Sequence, residues 1–226
     1  GTGYPEFDLW QDVEVLRAAI LNHYAAEYDA TEYDTEQFIA EGGEAIQRGI
    51  NVLAPCRDTT YLRNRGFFSL AEDEFVVVYG VNHSAAGKSL YNSAVLYAMD
   101  PVDNSGFPFE PNLADGDVWR AYAGIASVNS EGAMPVSAEA FLPENVIPVN
   151  ERGQELLYAC RFAHACGEDD PVSCTEIPES PCERMPQNLF QFAFRAYVEP
   201  ETEVGPAYNE LVYDRVIKFT PKAAKK

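Results

Sequence analysis

The hydrophobic pattern changes period near residue 50. Before it, Trp10, Val13, Leu16, Ile20 and Tyr24 recur at helical spacing, with helix-favouring alanines between them. Asp8 and Gln11 are placed as a capping box for this helix. The acidic stretch Tyr28 to Glu36 reads as a break. A second helix is expected from a cap at Asp34 or Thr35 through Phe38, Ile39 and Ile46, kinked at Gly42-Gly43 and ended by Gly49. From Asn51 onward the period is two, punctuated by Pro and Gly. Strands are expected near 61–63, 67–70, 75–79, 90–99, 118–128, 156–163, 189–198 and 211–219. Phe190, Phe192 and Phe194 should share one buried face, with Val76 and Val78 in neighbouring strands.

These elements predict a mainly β (α+β) chain, an antiparallel β-sandwich or barrel carrying a helical N-terminal segment. Residues 1–50 form that helical segment, packed on a β-rich domain over 51–226. Its long Pro-rich loops, 100–116 and 134–153, are expected to be functional or assembly loops. A chain of 226 residues, 46% hydrophobic, is long enough to bury a core without staples. No apolar run reaches the ~18 residues of a membrane span.

Charge narrows the partners. The chain has 16 Lys and Arg against 36 Asp and Glu, a net charge of −20. Phosphate backbones and anionic lipid surfaces both need clustered cations, so nucleic acid and membrane are not expected partners. Lys218 to Lys226 holds four lysines and no acid, so the preceding chain carries twelve bases against all 36 acids. An acidic body with a basic end predicts self-association through the C-terminal strand and tail, with Val216 to Phe219 supplying the apolar contact. Gly1 is expected to be a processed, designed or fragment end, because no Met and no leader pattern precedes it.

The cysteines are Cys56, Cys160, Cys166, Cys174 and Cys182. Four lie in the loop-rich stretch 160–182, at spacings unsuited to a zinc knuckle. Disulfides in an extracellular or periplasmic chain fit better. Cys166–Cys174 is the first choice, because it closes a short loop containing Gly167 and Pro171. Cys56 could pair with Cys160 or Cys182.

Candidate chemistry centres on 75–99, FVVVYGVNHSAAGKSLYNSAVLYAM, where a polar loop joins two apolar strands. Gly87-Lys88-Ser89 lacks the Gly spacing and following helix of a phosphate-binding loop. Asn82, His83, Ser84 and Lys88 are the candidate ligand-binding residues. Cys56, Asp58, His83 and Lys88 are the candidate catalytic residues, with Cys56 as nucleophile, His83 as base and Asp58 orienting it. None carries a recognised protease signature, and no residue is assigned as catalytic outright. His23 reads as a helix-boundary residue and His164 as packed beside the cysteine loop. Asn82-His83-Ser84 is also the one N-x-[ST] sequon, so Asn82 is a candidate glycan site. The acidic loops at 100–104, 115–117 and 168–170 match no calcium-loop pattern, and no metal or cofactor is expected. The reading is a non-enzymatic extracytoplasmic module, an assembly subunit or a binding domain; the alternative is a small hydrolase or transferase using Cys56, His83 and Lys88.

Overall fold

The computed structural model describes residues 1–37, 58–102, 118–130, 138–142, 153–167, 172–178 and 189–223. A 3₁₀ turn, Phe7–Leu9, leads into helix α1, Trp10–Tyr24, and a single short turn, α2, spans Gly153–Leu156. The strands are β1 Tyr28–Tyr33, β2 Thr35–Gln37, β3 Thr59–Asn64, β4 Phe75–Val81, β5 Tyr91–Val102, β6 Val118–Asn129, β7 Leu157–Ala163, β8 Cys174–Glu176, β9 Phe190–Tyr197 and β10 Arg215–Pro221. They form two five-stranded sheets, in the orders β1-β10-β4-β7-β8 and β2-β3-β9-β5-β6. Every pairing is antiparallel except β7 with β8. The protein is mainly β and sandwich-like, with one N-terminal helix.

β4 explains the layering. Its sequence FVVVYGV is buried at all seven positions. Val76 and Val78 face the second sheet, where Leu96 of β5 and Phe190, Phe192 and Phe194 of β9 meet them in one cluster. Phe75, Val77, Tyr79 and Val81 face the other way, under Val13, Leu16, Ile20 and Tyr24 of α1. An unbroken apolar run is what a strand covered on both faces requires. The three Phe do share one buried face, but Val76 and Val78 lie across the sandwich from them rather than beside them in the sheet. Replacing Phe192, fully buried between Phe68, Phe162 and Phe194, with Leu should cost about 1–2 kcal/mol in urea unfolding. An unchanged midpoint would contradict this packing.

Several expected elements differ. The acidic stretch 28–36 is not a break but supplies most of β1 and β2, and the chain passes from one sheet to the other at Asp34. The expected second helix therefore does not start at Asp34 or Thr35; its later part, like Cys56, lies outside the described residues. β1 is a polar edge strand defined by backbone pairing with β10, so no alternation announces it. Neither the 3₁₀ turn nor α1 has a side-chain cap, so the Asp8–Gln11 capping box does not form. Trp10 is half exposed instead of joining the buried stripe. Phe68 makes only an isolated bridge to Phe190, and Leu211 to Asp214 precede the last strand instead of forming it. β10 lies inside its sheet with both edges paired, to β1 and β4. Lys218 pairs with Glu74 at 2.8 Å, and Lys222 donates to the Ala25 carbonyl at 2.5 Å.

Cys166 and Cys174 are disulfide-bonded. Cys160 is a free, buried thiol within the inter-sheet core, so it does not pair with Cys56. Burial pushes it up to about 11. Cys182 lies outside the described residues. The bond holds β8, which adds only three residues to the edge of β7. Closing so short a loop is worth about 2–3 kcal/mol in the chain-entropy model. A Cys166→Ser/Cys174→Ser chain should lose that much stability, while reductant should no longer shift its urea midpoint.

Candidate functional site

The loop after β4 is built to turn its polar side chains inward. The Asn82 carbonyl accepts from Ala86 N–H and its Oδ1 accepts from Ala85 N–H. The His83 carbonyl accepts from the N–H groups of Lys88 and Ser89. Gly87 sits at φ +76°, a turn conformation that suits a residue without Cβ. The result buries Asn82, His83 and Lys88, at 5%, 2% and 5% exposure.

His83 sits between two carboxylates. Its Nδ1 lies 2.9 and 3.0 Å from the two oxygens of Glu6, and its Nε2 faces Asp214 at 3.5 Å, an ion-pair distance rather than a tight hydrogen bond. Asp214 also accepts from the Tyr158 hydroxyl at 2.6 Å, and Glu6 accepts from Val212 N–H at 3.1 Å. Glu6, Asp214 and Tyr158 are all buried. Gly80 is what lets Asp214 approach, since a Cβ at that position would stand 3.0 Å from its Oδ1 and 3.1 Å from its Cα. Burial alone would favour the neutral imidazole, but Glu6 and Asp214 outweigh it and raise His83 to about 10. The ring is an imidazolium at neutral pH, with both nitrogens carrying protons.

Lys88 makes a second buried cluster. Its Nζ donates to Glu199 and to Glu210, each at 2.5 Å, and to the Tyr4 carbonyl at 2.9 Å. Burial would lower its pKa; the two carboxylates raise it overall. Despite burial Glu199 is held below its ordinary value, chiefly by Lys88, and Lys88 does the same for Glu210. Both carboxylates also read the N-terminal backbone: Thr2 N–H donates to Glu199 at 3.0 Å and Gly3 N–H to Glu210 at 2.9 Å. Residues 2 to 6 are thus tied across the loop and the segments before β10. Beside them lies a cleft of about 410 Å³, whose walls include Tyr4, Glu6, Asp8, Lys88, Glu199 and Glu201.

Of the sequence candidates, His83 and Lys88 occupy neighbouring clusters joined through the 2–6 segment. Asp58 is elsewhere: it is exposed at the start of β3, where its carboxylate accepts from the Thr59 hydroxyl. Ser84 uses its backbone N–H on Asn92 Oδ1 at 3.2 Å. Asn82, the sequon residue, has its Oδ1 engaged in the turn. His23 is exposed and packs edge-on against Tyr24 and Phe141; His164 lies near the Leu70 carbonyl. Sequence reasoning missed Glu6, Tyr158, Glu199, Glu210 and Asp214. One signal pointed toward them: Lys88 is the sole lysine outside the last nine residues, and a lysine between apolar strands needs carboxylates. No family model matches this chain, and no curated protein sequence matches it.

Proposed function

We propose that this chain is a non-enzymatic extracytoplasmic module, a binding domain or a subunit of a larger assembly. One observation carries the reading. The two side chains best suited to chemistry, His83 and Lys88, are buried and paired with protein carboxylates that pin residues 2 to 6. A general base must hold its lone pair free at working pH, and His83 holds a proton there instead. A nucleophilic amine must be neutral, and Lys88 is kept charged. These groups serve as internal fasteners, leaving surfaces as the working parts. The disulfide supports an oxidising compartment, extracellular or periplasmic.

Self-association is part of the proposal, with a changed geometry. β10 has no free edge, so contact between copies would use the outer strands β1, β2, β6 or β8, or residues beyond Pro221. The test combines turnover and mass. The purified chain should hydrolyse none of a panel of chromogenic acyl, phosphoryl and glycosyl substrates. Turnover lost in His83→Gln, in a chain that stays folded, would overturn the reading in favour of an enzyme. Sedimentation at low and high salt then separates assembly subunit from monomeric binding domain.

A further inference from the structure

Three of the four exposed large hydrophobic side chains among the described residues fall within seven residues, and the fourth is Leu90. Tyr4, Phe7 and Trp10 are 76%, 53% and 50% exposed, and they recur every third residue. The 3₁₀ turn at Phe7–Leu9 and the first turn of α1 put Phe7 and Trp10 three residues apart on one side of the helical segment, and Tyr4 precedes them in the non-helical lead-in. Of the residues between them, Glu6 and Leu9 are buried, while Pro5 and Asp8 are exposed. Residues 4 to 10 therefore turn three aromatics and one acid, Asp8, to solvent and the other acid, Glu6, to the core. Three large aromatic side chains left on the surface within seven residues mark this stretch as an interaction surface.

One end of the stretch already holds a cation. The Arg215 guanidinium lies 5.0 Å over the Trp10 ring while its Nη1 donates to Glu14 at 2.7 Å. A cation between a ring face and a carboxylate is a favourable and specific arrangement. At the other end the same parts meet in a cleft whose one cationic wall residue, Lys88, is already spent on Glu199 and Glu210. Tyr4 lines the 410 Å³ cleft together with Asp8 and Glu201, both exposed, and neither has an ion-pair partner among the described residues. The chain's net charge of −20 favours cationic partners over polyanions.

The geometry points to a docking surface for a basic polypeptide segment: arginine or lysine side chains enter the cleft between Tyr4 and the carboxylates of Asp8 and Glu201, and Phe7 packs on the segment's stems. This rests on the binding-module reading and names its partner. The probe is a fluorescein-labelled alanine-rich peptide carrying three arginines, with a second peptide in which citrulline, of the same shape but uncharged, replaces each arginine. Anisotropy titrations compare the natural chain, Tyr4→Ser/Phe7→Ser, and Leu90→Ser as an exposed apolar control. All three should keep the same urea midpoint, because the mutated side chains are exposed. The natural chain and the control should bind the arginine peptide equally, with affinity falling as salt rises. The double variant and the citrulline peptide should each bind about tenfold more weakly, as expected for losing one or two ring contacts or the charge.

Equal binding by the double variant would overturn the proposal and reduce the effect to net charge. So would equal binding of the citrulline peptide, or no binding at millimolar peptide. A dimer of the natural chain that the double variant breaks, without peptide binding, would assign the stretch to a second copy instead. None of these outcomes is the His83-dependent turnover that would overturn the module reading, so the two fail separately.

Discussion

A Lys88→Met chain should lose about 3–5 kcal/mol of unfolding free energy, the range for removing one partner from a buried charge cluster. Met keeps the length and apolar stem but leaves Glu199 and Glu210, 2% and 9% exposed, without their cation. The loss should also be local. Glu199 and Glu210 hold Thr2 and Gly3, and Lys88 holds the Tyr4 carbonyl, so the amides of residues 2 to 6 should exchange faster than those of β4. The pH dependence should be distinctive. In the natural chain both carboxylates lie below their ordinary 4.5, so their contribution is present above that value and disappears as pH falls through the lowered values. Without Lys88 the buried carboxylates prefer protons, and the gap between the two chains should narrow in acid. Adding Glu210→Gln should restore part of the loss. A Lys88→Met chain within 0.5 kcal/mol of the parent, a window typical of inconsequential surface changes, would show that the cluster does not fasten the fold.

How legible this architecture is depends on what specifies each part. β4 and β9 are written in their own side chains, one by a run buried on both faces and the other by alternating Phe. β1 and β2 are not. YDATEY and TEQ are polar edge sequences whose strand character comes from hydrogen bonds to β10 and β3, and no local pattern records those partners, the first of them nearly two hundred residues away. The same holds for the charge clusters. His83 and Lys88 stand out by position, but their carboxylates lie 77, 111 and 122 residues away, for Glu6, Glu199 and Glu210. Among 36 acids nothing in the local sequence distinguishes these. The alternative enzyme reading grew out of that blindness. A His, a Lys, an Asn and two Ser between apolar strands look like reactive equipment until their partners are known. Gly80 is the subtler cue, a glycine inside an otherwise apolar strand, which signals a close approach of another segment.

His83 should make the protein lose stability as the pH rises above neutrality. Its folded-state value is about 10, against an ordinary 6.5. A group raised on folding stabilises fully below its unfolded value, and that contribution is lost as pH climbs through the folded one. The urea midpoint should therefore decline between pH 6.5 and 10, with a total loss of roughly 3–5 kcal/mol. The cause is specific: the positive ring offsets Glu6 and Asp214, and once neutral it leaves two buried carboxylates facing a group that can donate to only one of them. Lys88 does not account for such a slope, because its carboxylates hold its proton beyond the ordinary lysine range. Burial likewise keeps Tyr79 protonated to about 12, and holds Tyr158 higher than an ordinary phenol. His83→Gln separates charge from shape. Glutamine can still donate a hydrogen bond toward Glu6 but carries no proton to lose, so the variant should be less stable at pH 7 by about the same 3–5 kcal/mol and nearly flat from 6.5 to 10. A parental chain that is itself flat over that interval would mean the imidazole is neutral at pH 7. His83 would then regain the free lone pair of a base, and the enzyme reading would return with it.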